Sequence, residues 1–273
     1  MAVLSHKIDF LCIIVAENCN PNGDPLNCNI PRTDFYGYGE MSQECIKRKI
    51  RNRLQDMGES IFVQQADRVD DGFCSLKERL QSAFGKKKLD AKELLAACEK
   101  WFDVRAFGQV FAFKGDNMSE SIRGAVSITP AKTIEPVMIK GYGITKSTNT
   151  VPDDKKDSAT FGNRYAIERG VYVFTGGIYP QLAERTGFTE DDAEKIKQAI
   201  LTLFENDASN SRPNGSMTVG SLYWWEHNCK NGSCPPIKLF RSVEIEPTGG
   251  FPYYKINHIS ENNHVTLSVY NII

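Results

Sequence analysis

The sequence predicts an α+β fold in which helices gather on one face of an antiparallel sheet, with a split βαβ core. Three observations carry this. Residues 7–19 are apolar on both alternating faces, two capped amphipathic helices begin after Ser42 and Thr189, and strand-like runs follow each helix. The balance of 33 basic and 34 acidic residues with 41% apolar content excludes disorder and fibrous classes. We expect one domain over residues 1–273, with insertions at about 20–41, 60–90 and 145–169.

In residues 7–19, Phe10, Cys12 and Ile14 line one face and Leu11, Ile13 and Val15 the other, as in a central strand buried on both sides. It breaks at Asn20-Pro21-Asn22-Gly23-Asp24-Pro25, and a long loop carrying Arg32, Asp34, Phe35 and Tyr36 follows. Loops of this length are usually binding elements or linkers. Ser42 then caps a helix whose core stripe is Ile46, Ile50, Leu54 and Met57.

Residues 60–90 read as polar and irregular, and residues 91–102 as a helix with Leu94, Leu95, Cys98 and Trp101 inward. Strands are expected at 126–129 and 170–178, with the polar excursion 145–169 between them. Thr189 caps a helix with Asp192 at its third position and an inner face of Ile196, Ala199, Ile200, Leu203 and Phe204. Runs 222–226, 239–245 and 265–270 close the sheet.

The formal net charge of −1 excludes a globally basic nucleic-acid coat, so polyanion binding must come from local clustering. Residues 41–56 supply one: five basic and two acidic side chains, a local charge of +3. At about 100° per residue, Lys47 and Arg51 flank one side of the core stripe, Lys49 and Arg53 the other, and Arg48 points away. A solvated helix face and a single-stranded nucleic-acid site are both open; the preceding Arg32, Phe35 and Tyr36 favour the latter. Five phosphate contacts would give a log-affinity against log-salt slope of about −3.5.

Other signals are weaker. Residues 222–225, Leu-Tyr-Trp-Trp, suit core packing better than base stacking. His227, Cys229 and Cys234 lack a fourth zinc ligand, and the eight cysteines lack CxxC spacing, as expected of reduced thiols. Asp24 and Asp34 are turn formers, or carboxylates that could activate an RNA hydroxyl or hold Mg²⁺. No membrane span, Walker pattern, metal or cofactor signature is evident, and the expected location is cytoplasmic.

The stretch 20–34, then Cys45-Ile46-Lys47-Arg48-Lys49-Ile50-Arg51-Asn52, resembles the CRISPR Cascade backbone subunit of type I-C systems, of the RAMP superfamily. So do Asp103-Val104-Arg105-Ala106-Phe107-Gly108, Arg123-Gly124-Ala125-Val126-Ser127-Ile128, Phe161-Gly162-Asn163-Arg164-Tyr165, Phe204-Glu205-Asn206-Asp207 and Trp225-Glu226-His227-Asn228. The resemblance implies a right-hand-like shape: a ferredoxin-like, RRM-like palm, helical fingers and a protruding thumb at 145–169. It implies a non-catalytic subunit that polymerises along crRNA and presents the spacer to a target DNA strand, so that base pairing reads sequence. Implied partners are further copies of the chain, guide-processing, large and small Cascade subunits, and a helicase-nuclease recruited later. Ser42, Lys47, Arg48 and Arg51 match positions that hold the guide; Lys49 and Arg53 join them on helix geometry. Asn22, Gly23 and Arg32 match the palm loop, and Thr145, Phe161 and Arg164 fall in the thumb. The alternative implied by related type III subunits is a metal-dependent cut of target RNA by Asp24.

Overall fold

The computed structural model describes residues 2–85, 89–112, 120–145, 161–259 and 265–273. At its centre lies the strand Ile8–Cys19, hydrogen-bonded antiparallel to Phe161–Ile178 on one side and Met217–His227 on the other. Ala131–Pro136 pairs beyond Phe161–Ile178, and Tyr38–Met41 and Val265–Asn271 close the two edges. Val126–Ile128 and Ile139–Thr145 also pair with Phe161–Ile178, making eight strands.

The helix Gln43–Asp56 stands between the first strand and Ala131–Pro136, and Glu190–Leu201 between Phe161–Ile178 and Met217–His227. Sheet positions then read fourth, first, third, second, all antiparallel, which is the split βαβ arrangement expected from the sequence. Period-2 geometry divides the first strand as predicted. Phe10, Cys12 and Ile14 join the helices Gln43–Asp56 and Glu190–Leu201 in the main core; Leu11, Ile13 and Val15 face a second layer around Leu239, Val243 and Tyr254.

Tyr223, Trp224 and Trp225 are fully buried, and Phe10 stacks on Trp224 at 5.4 Å between centroids. These large apolar surfaces therefore pack the core and offer no base-stacking platform. Both predicted caps form. Ser42 Oγ accepts the Cys45 N–H, and Thr189 and Asp192 exchange hydrogen bonds in a capping box.

Three expectations are corrected. Residues 60–90 include the helix Leu76–Phe84, capped by Ser75 and tied down by buried Arg79, which bonds Asp71 and the carbonyls of Phe62 and Phe73. Leu95 is 51% exposed, since the apolar face of Ala91–Lys100 centres on Ala97 and Cys98. The run 239–245 is not one strand: Pro236 at a helix start opens the short helix Pro236–Phe240, and pairing begins at Val243. Among the described residues no helix is long and apolar enough to cross a membrane.

Candidate nucleic-acid interface

The loop and the start of the basic helix form one hydrogen-bonded unit. Asn22 Oδ1 accepts the Ser42 N–H at 2.8 Å, and the Asn22 carbonyl accepts the Arg32 N–H at 2.9 Å. Gly23 leaves room for the Asn29 amide: a Cβ there would lie 1.9 Å from Asn29 Oδ1, so that side chain would have to turn away. Asp24 accepts the Leu26 N–H and pairs with Arg32 at 3.2 Å, so its carboxylate closes a turn. Asp34 likewise accepts the N–H groups of Tyr36 and Tyr38; the ammonium of Lys132 beside it holds its carboxyl below the ordinary range. Asn22, Gly23, Arg32 and Ser42 are thus brought together beside the helix.

The basic side chains of the helix divide by face. Lys49 is buried against Asp207 and the Phe204 ring, and Arg53 pairs with Glu205 at 2.5 Å and Thr202 at 2.7 Å. This corrects the single comb read from the sequence. Both residues point toward segment 202–207, whose carboxylates neutralise them and leave them no open polyanion face.

The opposite side differs. Lys47 and Arg51 lie over the Phe107 ring at 5.7 and 5.0 Å. Arg51 is aimed by Asp103 at 2.9 Å, and Arg48 donates to the Val63 carbonyl at 2.6 Å. Burial, then the charge of Arg51, pushes the Lys47 and Arg48 pKa values down. A bound anion would offset the repulsion from Arg51, the second of these causes.

Phe107 owes its place to two glycines. A Cβ on Gly124 would sit 2.3 Å from the Ala106 carbonyl oxygen and the Gly108 nitrogen, and one on Gly108 2.3 Å from the Ile122 oxygen. The backbones of 106–108 and 122–124 touch, so Phe107, Ile122 and Arg123 share one wall. Two open lobes meet at Lys47, Phe107 and Ile122. One, of about 670 Å³, runs along Glu44, Arg48, Arg51 and Val63; the other, of about 580 Å³, reaches Arg123, Tyr179 and Arg185.

Thr145 and Arg164 do not line either lobe. Thr145 is paired with Phe161, and Arg164 with Tyr142, on the ribbon that leaves the sheet edge; residues 146–160 of the expected thumb lie outside the described residues. Arg164 Nε is buried without a hydrogen-bond partner. His227 bonds Asp9 through Nε2 and accepts the Ser233 N–H at Nδ1, both at 2.8 Å, so both ring nitrogens are engaged.

A family model described as CRISPR-associated protein Cas7 matches residues 6–268. The chain belongs to that family. A CRISPR-associated protein Cas7 from Haloferax volcanii is 26% identical over 228 residues, covering 75% of this chain and 66% of that protein. The chain's match thus spans just under two thirds of that relative's length. A chain of a solved CRISPR RNA-guided surveillance complex superposes with a TM-score of 0.50 at 14% identity, over 90% of this chain and 77% of the other. A second, from a complex in a pre-nicking state, gives 0.49 at 16%, over 80% and 75%. The first of these likenesses carries the fold alone.

In this Cas7-family chain, sequence reading passed over the roles of Asp103 and Phe107. Both sit in the quoted stretch 103–108, but nothing local reveals that Asp103 aims Arg51 or that Phe107 floors the groove. The signal available was an acid, Asp103, set among the apolar residues Trp101, Phe102 and Val104, in a chain with a surplus of basic residues about 50 positions earlier.

Proposed function

We propose that this chain is a non-catalytic, crRNA-binding backbone subunit of a type I-C CRISPR Cascade surveillance complex, one domain that polymerises along the guide in the cytoplasm. One observation carries it: Lys47 and Arg48 face an open groove and make no carboxylate ion pair among the described residues, while Lys49 and Arg53 on the other side of the helix are neutralised. Long cations in a row track phosphates and leave the bases free to pair with target DNA. Family membership supports the assembly partners: further copies of the chain, guide-processing, large and small subunits, and a helicase-nuclease. The thumb role of Thr145, Phe161 and Arg164 belongs to the same reading.

Asp24 supports the non-catalytic half, because its carboxylate is engaged in a turn and by Arg32. The test is co-expression with a CRISPR array and its companion subunits, followed by sizing and sequencing the bound RNA. A discrete spacer-containing RNA is expected; heterogeneous host RNA overturns the reading. Mg²⁺-dependent cutting of complementary RNA that vanishes in Asp24→Ala would overturn the non-catalytic assignment. Arg51, though paired with Asp103, lines the helix lobe together with Lys47 and Arg48, whereas Lys49 and Arg53 line neither lobe; with these three as the phosphate contacts, the helix lobe alone gives a salt slope of about −2.

A further inference from the structure

We propose that the second lobe, between Lys47, Arg123, Tyr179 and Arg185, is a separate phosphate subsite: the RNA strand held by the helix continues across Phe107, and Arg123 and Arg185 take its next phosphates. This rests on the crRNA-binding reading and extends it to residues outside the basic helix.

The first support is charge. The lobe is lined by three cations and, among the described residues, by no carboxylate, in a chain whose acidic residues outnumber its basic ones. Several cations elsewhere are neutralised: Arg79 by Asp71, Arg105 by Asp192, Lys230 by Glu184, Lys195 by Glu59 and Asp191. Arg123 and Arg185 are both exposed and make no ion pair among the described residues. Three like charges around one hollow repel, and a polyanion removes that cost.

The second support is continuity. The two lobes share Lys47, Phe107 and Ile122, so no wall separates them. Each is open on one side, as an extended strand requires and an enclosed small-molecule pocket does not. Neutral groups that could meet sugar and phosphate oxygens, Ser127, Tyr179 and Gln181, line the second lobe.

The third support is rigidity. Arg123 ends the strand Glu120–Arg123, paired with Gly108–Phe111, and the next residue, Gly124, is locked against the 106–108 backbone. The Tyr179 N–H bonds the Ala125 carbonyl at 2.9 Å, which ties the helix Pro180–Thr186, and hence Arg185, to the same unit. The backbones that carry the two cations are therefore fixed relative to one another before any ligand arrives, which leaves only side-chain entropy to be lost on binding.

The test measures binding of a short, unstructured, fluorescein-labelled RNA to the full chain across a salt series. Both lobes together give a slope of about −3.5, against about −2 for the helix lobe alone. In Arg123→Ala/Arg185→Ala the slope is expected to fall to about −2, with affinity about tenfold weaker at 0.15 M salt. The control Lys238→Ala/Arg241→Ala removes the same charge from exposed positions outside both lobes and is expected to leave the slope unchanged. If Arg123→Ala/Arg185→Ala binds as the parent does while Lys47→Ala/Arg48→Ala binds weakly, the subsite is wrong and the helix reading stands. If the control lowers the slope equally, the effect is net charge and the subsite is overturned. If no variant changes binding, both readings fail.

Discussion

Arg51 Nε donates to Asp103 Oδ2 at 2.9 Å, and the same buried carboxylate accepts the N–H of Phe62 at 2.7 Å and of Val63 at 3.1 Å. One acid thus fixes a groove arginine and the segment that supplies the Val63 carbonyl to Arg48. The Asp103 carboxylate meets the basic helix and the 60–63 segment at once, beside the Phe102 N–H that bonds the Ser60 carbonyl at 2.8 Å. The groove's shape follows from that junction.

Removing Asp103 leaves two N–H donors and a guanidinium without their acceptor. Asp103→Ala is expected to cost about 3 kcal/mol or more in urea unfolding, the scale for breaking a buried ion pair. Loss of RNA affinity should accompany it, because Arg51 is no longer aimed. An unchanged unfolding midpoint would show that the junction contributes nothing.

Lys47 and Lys49 lie two positions apart on one helix and should respond oppositely. Lys47→Ala is expected to weaken RNA binding with little change in stability, since its contact is the Phe107 ring. Lys49→Ala strips Asp207 of one partner and leaves Arg212 at 3.1 Å, so it should cost about 2 kcal/mol while leaving the salt slope unchanged. Urea unfolding and salt-series binding on the two variants separate these effects.

Asp71 gives a pH prediction with a definite sign. The Arg79 guanidinium holds its carboxyl below the ordinary value of 3.8. A folded-state pKa below the unfolded one stabilises the chain at pH values above about 3.9, and that stability is lost as pH falls through the depressed value. Asp71→Asn removes the contribution at neutral pH. Its unfolding midpoint should therefore lie below the parent's at pH 7 and converge with it in strong acid; parallel curves would contradict the pairing.

Gly124 has no room for a methyl group. The Cβ of Gly124→Ala would meet backbone atoms of residues 106–108 at 2.3–2.4 Å, and backbone cannot move aside as a flexible side chain can. A loss of about 1–3 kcal/mol is expected from the overpacking. Separation of the two segments also displaces Phe107 and Arg123, so RNA affinity should fall beyond what the stability loss explains. Thermal melts and binding measured well below the melting temperature test both halves.

The sequence by itself determined the sheet's central strand, both capped helices and most of their core stripes, because these follow from periods of 2 and 3.6 residues and from local cap chemistry; Met57, expected in the first stripe, is instead exposed, because the helix ends at Asp56 and Met57 is its C-cap. The sequence also set Lys47 and Arg51 on one flank of the core stripe and Lys49 and Arg53 on the other, with Arg48 pointing away; that Arg48 lines the same lobe as Lys47 and Arg51 emerges only from the fold. The sequence could not show that Lys49 and Arg53 are cancelled, because the acids that neutralise those two, Asp207 and Glu205, come from about 150 positions later. Nor could it show that Arg123 and Arg185 border the same groove as Lys47, since that depends on backbones at Gly108 and Gly124 meeting face to face. Local pattern fixes which face of an element is apolar; which charges are cancelled, and which remain free for a ligand, is decided only when distant elements pack.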